Sequence, residues 1–151
     1  MKKRKVAIKN TYWLIFKDGN NFVSRFFLKK GFGHILILTC DDYNWLLLDP
    51  TFTYLKTDIL PYKVTDDVPH TLMKGNDYKI IKIEKTPLPE NEDLKMLKAL
   101  VPIFPTCVSL IKYIIGLPFG ALTPWRLFNK LKKIKDTDRY YGGILSINFL
   151  I

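Results

Sequence analysis

Cysteine and histidine are scarce in this chain, with two of each among 151 residues. Cys40 and Cys107 form no Cys-x-x-Cys pair, and neither they nor His34 and His70 stand at metal-ligand spacing. Metal catalysis therefore lacks a ligand set, and no cofactor is expected. Disulfide scaffolds usually carry more cysteines, so both thiols are expected reduced, in an intracellular setting. A Cys40–Cys107 bridge stays open for an exported chain. There is also no phosphate-cradling glycine loop, because Gly31-Phe32-Gly33 precedes a strand pattern rather than a helix. Internal repeats, low-complexity tracts and convincing domain boundaries are lacking too. Acids are outnumbered, 14 against 24 Lys and Arg, giving a net charge of +10. Such a surface attracts nucleic acid, anionic lipid or anionic cell-wall polymer without choosing among them.

Long uninterrupted apolar runs are missing as well. Met1-Lys2-Lys3-Arg4-Lys5 resembles the start of a signal peptide, but residues 6–10 are too short and too polar to continue one. No signal peptide is expected. Residues 99–125 are rich in apolar side chains, yet Pro102, Pro105, Pro118 and Pro124 interrupt them and Lys112 lies near the middle. A spanning helix needs about 20 apolar residues without such breaks, so no transmembrane span is expected.

What is present suits one domain of ordinary size over residues 1–151, with 48% hydrophobic and 14% aromatic residues to build a core. Residues 1–10 read as a basic N-terminal arm. Residues 11–17 (TYWLIFK), 34–40 (HILILTC), 45–49 (WLLLD), 78–84 (YKIIKIE) and 144–151 read as strands. Asp41-Asp42-Tyr43-Asn44 is a turn that makes a hairpin of the second and third. Residues 51–77 carry little pattern, and His70 falls there in a Pro-His-Thr loop. Residues 90–100 read as a helix with acids first and lysines later. A second helix runs from Cys107 to a C-cap at Gly116. A third opens at Thr123-Pro124, Thr as cap and Pro at the first helical position. This last segment, residues 124–135, is a basic amphipathic helix. Trp125, Leu127, Phe128, Leu131 and Ile134 are expected against a sheet, with Arg126, Lys130, Lys132 and Lys133 in water. The order predicts an α+β fold, an antiparallel sheet packed against helices.

The chemistry-bearing residues fall on these elements in a telling order. Cys107 stands at a helix start, where the positive end of the dipole favours a thiolate nucleophile. His34 opens a rigid apolar strand and suits a general base. Asp49 ends the next strand and could fix the tautomer of that histidine. The Cys107 backbone N–H would hold an oxyanion, with Tyr12 or Trp13 as a side-chain donor. Asn44 is a weaker orienter, Cys40 a weaker nucleophile, and His70 lacks a strand to position it. Each has a bland alternative: a packed thiol, a core histidine, an Asp-Pro turn opener.

Gly33-His34 on one strand, Asp49 at the end of the next, and Thr106-Cys107-Val108 at a later helix start resemble circularly permuted papain-like cysteine hydrolases. These are relatives of NlpC-type cell-wall peptidases and lecithin–retinol acyltransferases. The ensemble of Gly31-Phe32-Gly33-His34, residues 45–50, Thr106-Cys107-Val108 with Lys112 and Gly116, and Thr123-Pro124 is also similar to small tailed-bacteriophage proteins. The resemblance covers roughly residues 12–131. It implies a permuted papain-like core in which Cys107 attacks, His34 is the base and Asp49 orients it. It further implies thiol hydrolysis or acyl transfer on an amide or peptide bond. The substrate would be a peptidoglycan peptide or a host protein, met in the host cytoplasm or from the virion. The chain lacks the acyltransferases' Asn-Cys-Glu motif at the nucleophile, and residues 51–105 match no motif. The alternative expectation is a non-enzymatic basic protein that binds nucleic acid or an anionic membrane surface. It would do so through Lys2, Lys3, Arg4, Lys5, Arg126, Lys130, Lys132 and Lys133.

Overall fold

The computed structural model describes residues 10–19, 28–51, 54–86, 106–117, 120–137 and 143–150. Strands β1 (Asn10–Lys17), β2 (His34–Cys40), β3 (Trp45–Pro50) and β4 (Leu55–Leu60) come first. They are followed by helix α1 (Val68–Met73), strand β5 (Lys79–Lys85), helices α2 (Cys107–Ile115) and α3 (Pro124–Thr137), and strand β6 (Ile144–Leu150). The six strands form one sheet in the order β4-β3-β2-β1-β5-β6, and every neighbouring pair is antiparallel. The α+β reading holds.

Strand β1 is central, paired with β2 on one side and β5 on the other. That explains its unbroken apolar run: Leu14, Ile15 and Phe16 are all fully buried, alternately on the two faces. On one face Leu14, Phe16, Ile35, Ile37, Ile81 and Ile83 pack with Val108 and Ile111 of α2 and Leu127, Leu131 and Ile134 of α3. On the other, Ile15, Leu36, Leu38, Trp45 and Ile80 pack with Val68 of α1. Helix α3 thus buries the apolar stripe its sequence predicts, and Arg126, Lys130, Lys132 and Lys133 are exposed. Trp125 and Phe128 join an aromatic group with Phe32 and Phe149, at edge-to-face centroid distances of 4.8 Å for Phe32–Trp125 and 5.3 Å for Phe128–Phe149. Lys29 Nζ sits 3.3 Å from the Trp125 ring centroid.

Two elements depart from the expectation for residues 51–77. Strand β4 pairs with β3 from Trp45↔Leu60 to Pro50↔Leu55. Helix α1 starts at an Asp67 N-cap, whose carboxylate accepts the His70 N–H. His70 is therefore helical, not in a loop. It stays exposed, with its Nδ1 2.7 Å from an Asp67 carboxylate oxygen. The N-terminal arm with Lys2, Lys3, Arg4 and Lys5, the helix expected over residues 90–100 and the elbow at Pro102 and Pro105 lie outside the described residues. Among the described residues no helix is long and apolar enough to cross a membrane.

Candidate active site

The loop before β2 is built for close backbone approach. A Cβ on Gly33 would lie 2.1 Å from the Gly19 nitrogen, so only glycine fits. Gly33 N–H donates to Lys17 O at 2.9 Å, and Gly31, at φ 79°, donates its N–H to the Asp18 carboxylate. The crossing fixes where β2 begins and hence where His34 stands.

The β2–β3 hairpin then brings His34 to Asp49. The Asp41 carboxylate accepts N–H donations from Tyr43 at 2.7 Å and Asn44 at 2.6 Å, which sets the turn. The register runs Cys40↔Trp45 to Ile37↔Leu48, so one further step puts Leu36 opposite Asp49. His34 is two residues on, the diagonal neighbour that a long side chain reaches. Its Nε2 lies 2.6 Å from Asp49 Oδ1, with the two side chains 23% and 30% exposed. With Nε2–H donated to the carboxylate, Nδ1 carries the free lone pair.

Cys107 arrives from α2, which packs on β2 and β3. The start of α2 is a capping box. Thr106 Oγ1 accepts the Ser109 N–H at 3.1 Å, and Ser109 Oγ accepts the Thr106 N–H at 2.8 Å. That leaves the N–H groups of Cys107 and Val108 to the thiol. The opposite end is held by two buried lysines. Lys85 Nζ donates to the Ile115 and Gly116 carbonyls at 2.6 and 3.1 Å, and Lys112 Nζ to Ala121 O at 2.9 Å. A cation on the last carbonyls complements the helix dipole. Gly116 closes the helix at φ 69°, in the left-handed conformation expected of a C-cap.

The thiol does not follow the electrostatic expectation. Burial pushes the Cys107 thiol up, and this outweighs the N–H groups of Ile35, Val108 and Cys107 itself, which favour the thiolate. The negative charge of Asp49 pushes it further up. A dipole at the helix start is thus too weak to hold this sulfur as a free thiolate. The groups that act on it, the Ile35 N–H one residue from His34 and the Asp49 charge, belong to the same end of β2 and β3.

Strand parity adds a further constraint. His34 and Asp49 share parity with Leu36 and Trp45 respectively, side chains of the α1 face, whereas Ile35 lies under α2. The His34–Asp49 pair and the Cys107 sulfur therefore flank the backbone of Ile35 at the end of β2.

Other sequence candidates are placed elsewhere. In the β1–β2 register Lys17 faces His34 and Tyr12 faces Thr39, so Tyr12 lies five residues along, about 17 Å at strand rise. Trp13 packs against Trp45, with centroids 5.1 Å apart, in the α1-side cluster. Neither is an oxyanion donor for Cys107. Asn44 is in the turn at the far end of the hairpin. Cys40 stands at that end too, and burial, then Asp41 and Asp42, push its thiol up. Both cysteines are free. Among the described residues no group of His, Cys, Asp or Glu could hold a metal ion. Sequence reasoning missed Ser109, whose Thr-x-x-Ser spacing from Thr106 was the available signal, and the Ile35 N–H, which had none.

The chain is an α+β protein with a His–Asp pair on the α1 face and a helix-start cysteine on the α2 face, both near the His34 end of β2. No known protein family, curated protein or solved structure matches it.

Proposed function

We propose that the chain is a cysteine-dependent hydrolase or acyltransferase acting on an amide or peptide bond, with a permuted papain-like core. The observation that carries this reading is the 2.6 Å His34–Asp49 pair at the end of β2 to which the capped start of the Cys107 helix is also brought. Asp49 holds the imidazole through Nε2, and Nδ1 is the base. Because the thiol pKa is pushed up, Cys107 rests as a thiol and gives its proton to His34 as it attacks. The Sγ–C bond forms at the carbonyl carbon. The resulting oxyanion is met by the N–H groups of Cys107 and Val108. Collapse breaks the C–N bond, and the imidazolium returns its proton to the leaving amine. Water, or an acceptor nucleophile, then cleaves the thioester, with His34 taking and returning one proton. For the sulfur to meet Nδ1, the two must close across the end of β2.

A peptidoglycan peptide or a host protein is the substrate this reading favours, in the host cytoplasm or at the virion. The test is the pH dependence of iodoacetamide alkylation at Cys107, with Cys40 as internal control. Because Cys107 rests as a thiol, the expected result is labelling near about pH 7 that depends on His34 as base and falls in His34→Ala and in Asp49→Asn, with a His34-independent rise only in the ordinary thiol range and above. Labelling that rises only toward about pH 8.5 and ignores His34 refutes the triad. The two carboxylate effects also separate. If Asp49 acted on the sulfur only by direct repulsion, Asp49→Asn would speed alkylation instead of slowing it.

A further inference from the structure

Among the described residues the sheet has a free edge at β4, and the surroundings of that edge differ in charge from the rest of the chain. Residues 41–67 hold six aspartates against two lysines, a net charge of −4 in a chain of +10. The same stretch exposes large apolar side chains: Tyr43 is 82% exposed, Tyr54 63% and Ile59 68%, with Leu55, Tyr62 and Val64 also in water. Exposed apolar groups this concentrated mark a contact surface, where scattered single ones would not. Among the described residues β4 pairs only with β3, so its outer backbone groups face outward. An edge strand with outward backbone groups and exposed Leu55 and Ile59 offers pairing to another extended chain, and its Lys56 and Asp58 make that pairing selective.

The acids are arranged around that edge. Trp45 Nε1 donates to Lys63 O at 3.0 Å, which ties the turn after β4 to the β2–β3 turn. Asp66, whose carboxylate accepts the Lys63 N–H at 2.8 Å, and Asp67 thereby sit at the same end of the sheet as Asp41 and Asp42. Along the strand, Asp58 is held 2.9 Å from Lys56, and Lys56 stands opposite Asp49 in the register. The one strand cation is thus already neutralised by this chain's own carboxylates. Its pKa is pushed up by Asp58 and further by Asp49.

We propose that the free edge of β4 docks an extended peptide of alternating basic and apolar residues as a seventh strand. Its lysines meet the Asp41, Asp42 and Asp66 carboxylates, and its apolar residues lie on Leu55, Ile59 and Tyr62. Main-chain hydrogen bonds supply the pairing and the charges select the sequence. The surface is separate from the Cys107 thiol, so binding and labelling chemistry fail independently.

The test is fluorescence anisotropy of the intact chain with two labelled nonapeptides, one alternating Lys and Val, the other Glu and Val. The expected result is binding of the Lys–Val peptide at least about tenfold tighter than Glu–Val, weakening as salt rises from about 0.01 M to about 1 M. Ile59→Lys, at an exposed position, removes the binding, while Lys132→Glu on α3 leaves it unchanged. Equal affinity for both peptides, or no Lys–Val binding up to about 1 mM, overturns the proposal. Concentration-dependent self-association in sedimentation that Ile59→Lys abolishes also overturns it, assigning the edge to a second copy. Circular dichroism of each variant confirms that the sheet is intact.

Discussion

Helix α3 and strand β4 carry similar residue types and put them to opposite use. In α3 the apolar side chains recur at helical spacing, all on one stripe, and Leu127 and Leu131 are fully buried. Its basic residues face water, five against one aspartate over Pro124–Thr137, so the helix is worth +4. In β4 the apolar residues Leu55 and Ile59 are exposed, and the region around it is acidic. One element is defined by what it buries, the other by a single neighbour on one side. Stability should therefore reside in the first, and recognition in the second.

The largest effect expected is from Leu131→Ala. Removing a fully buried side chain beneath α3 should cost about 2–5 kcal/mol, read as a lower urea midpoint with unchanged slope. Gly33→Ala comes next at about 1–3 kcal/mol, because the added carbon collides with backbone at Gly19 and not with a movable side chain. The same variant should shift the chemical environment of the His34 ring, measurable by imidazole NMR. Thr106→Ala should cost about 1 kcal/mol by opening the capping box of α2, measured by thermal unfolding. Ile59→Ala, at the β4 edge, should change stability by less than about 0.5 kcal/mol. A loss near that of Leu131→Ala would break the contrast between the two elements.

The thiol gives a smaller, pH-resolved effect. The folded chain holds the Cys107 proton more tightly than the unfolded chain does, since burial raises its pKa. Its contribution is whole below the ordinary thiol range and is lost as pH rises through and above it. Lys112, whose pKa burial lowers, acts in the opposite sense: its cost is present below its folded value and is relieved as pH rises. The readout is therefore the difference between wild type and Cys107→Ala in urea stability, which should shrink in wild type's disfavour from about pH 8 upward.

Elements with two-sided or striped burial were legible in the sequence. β2 and the Cys107 helix were read with their observed bounds, and the α3 stripe was read correctly, because burial dictates their patterns. β4 was not legible: LKTDIL has one strand partner and mostly exposed residues, so nothing forced an alternation. Helix α1 was hidden by its six-residue length and by Pro69, which reads as a breaker yet is tolerated in a first turn. Of the site, the pairing of His34 with Asp49 followed from hairpin register, which is local. The lifted thiol pKa did not, since desolvation depends on packing that only the folded chain reveals.

The His34–Asp49 pair closes over 15 residues, within a single hairpin. Cys107 lies 73 positions beyond His34 in the chain. A ribosome building this chain from its first residue therefore releases the histidine and its carboxylate well before the cysteine exists. A slip of one residue in β2 against β3 would turn Asp49 to the opposite face and part the pair. The pairing of the histidine with its carboxylate is thus a short-range matter of hairpin alignment, whereas bringing the Cys107 helix to the same end of the sheet closes a loop several times longer.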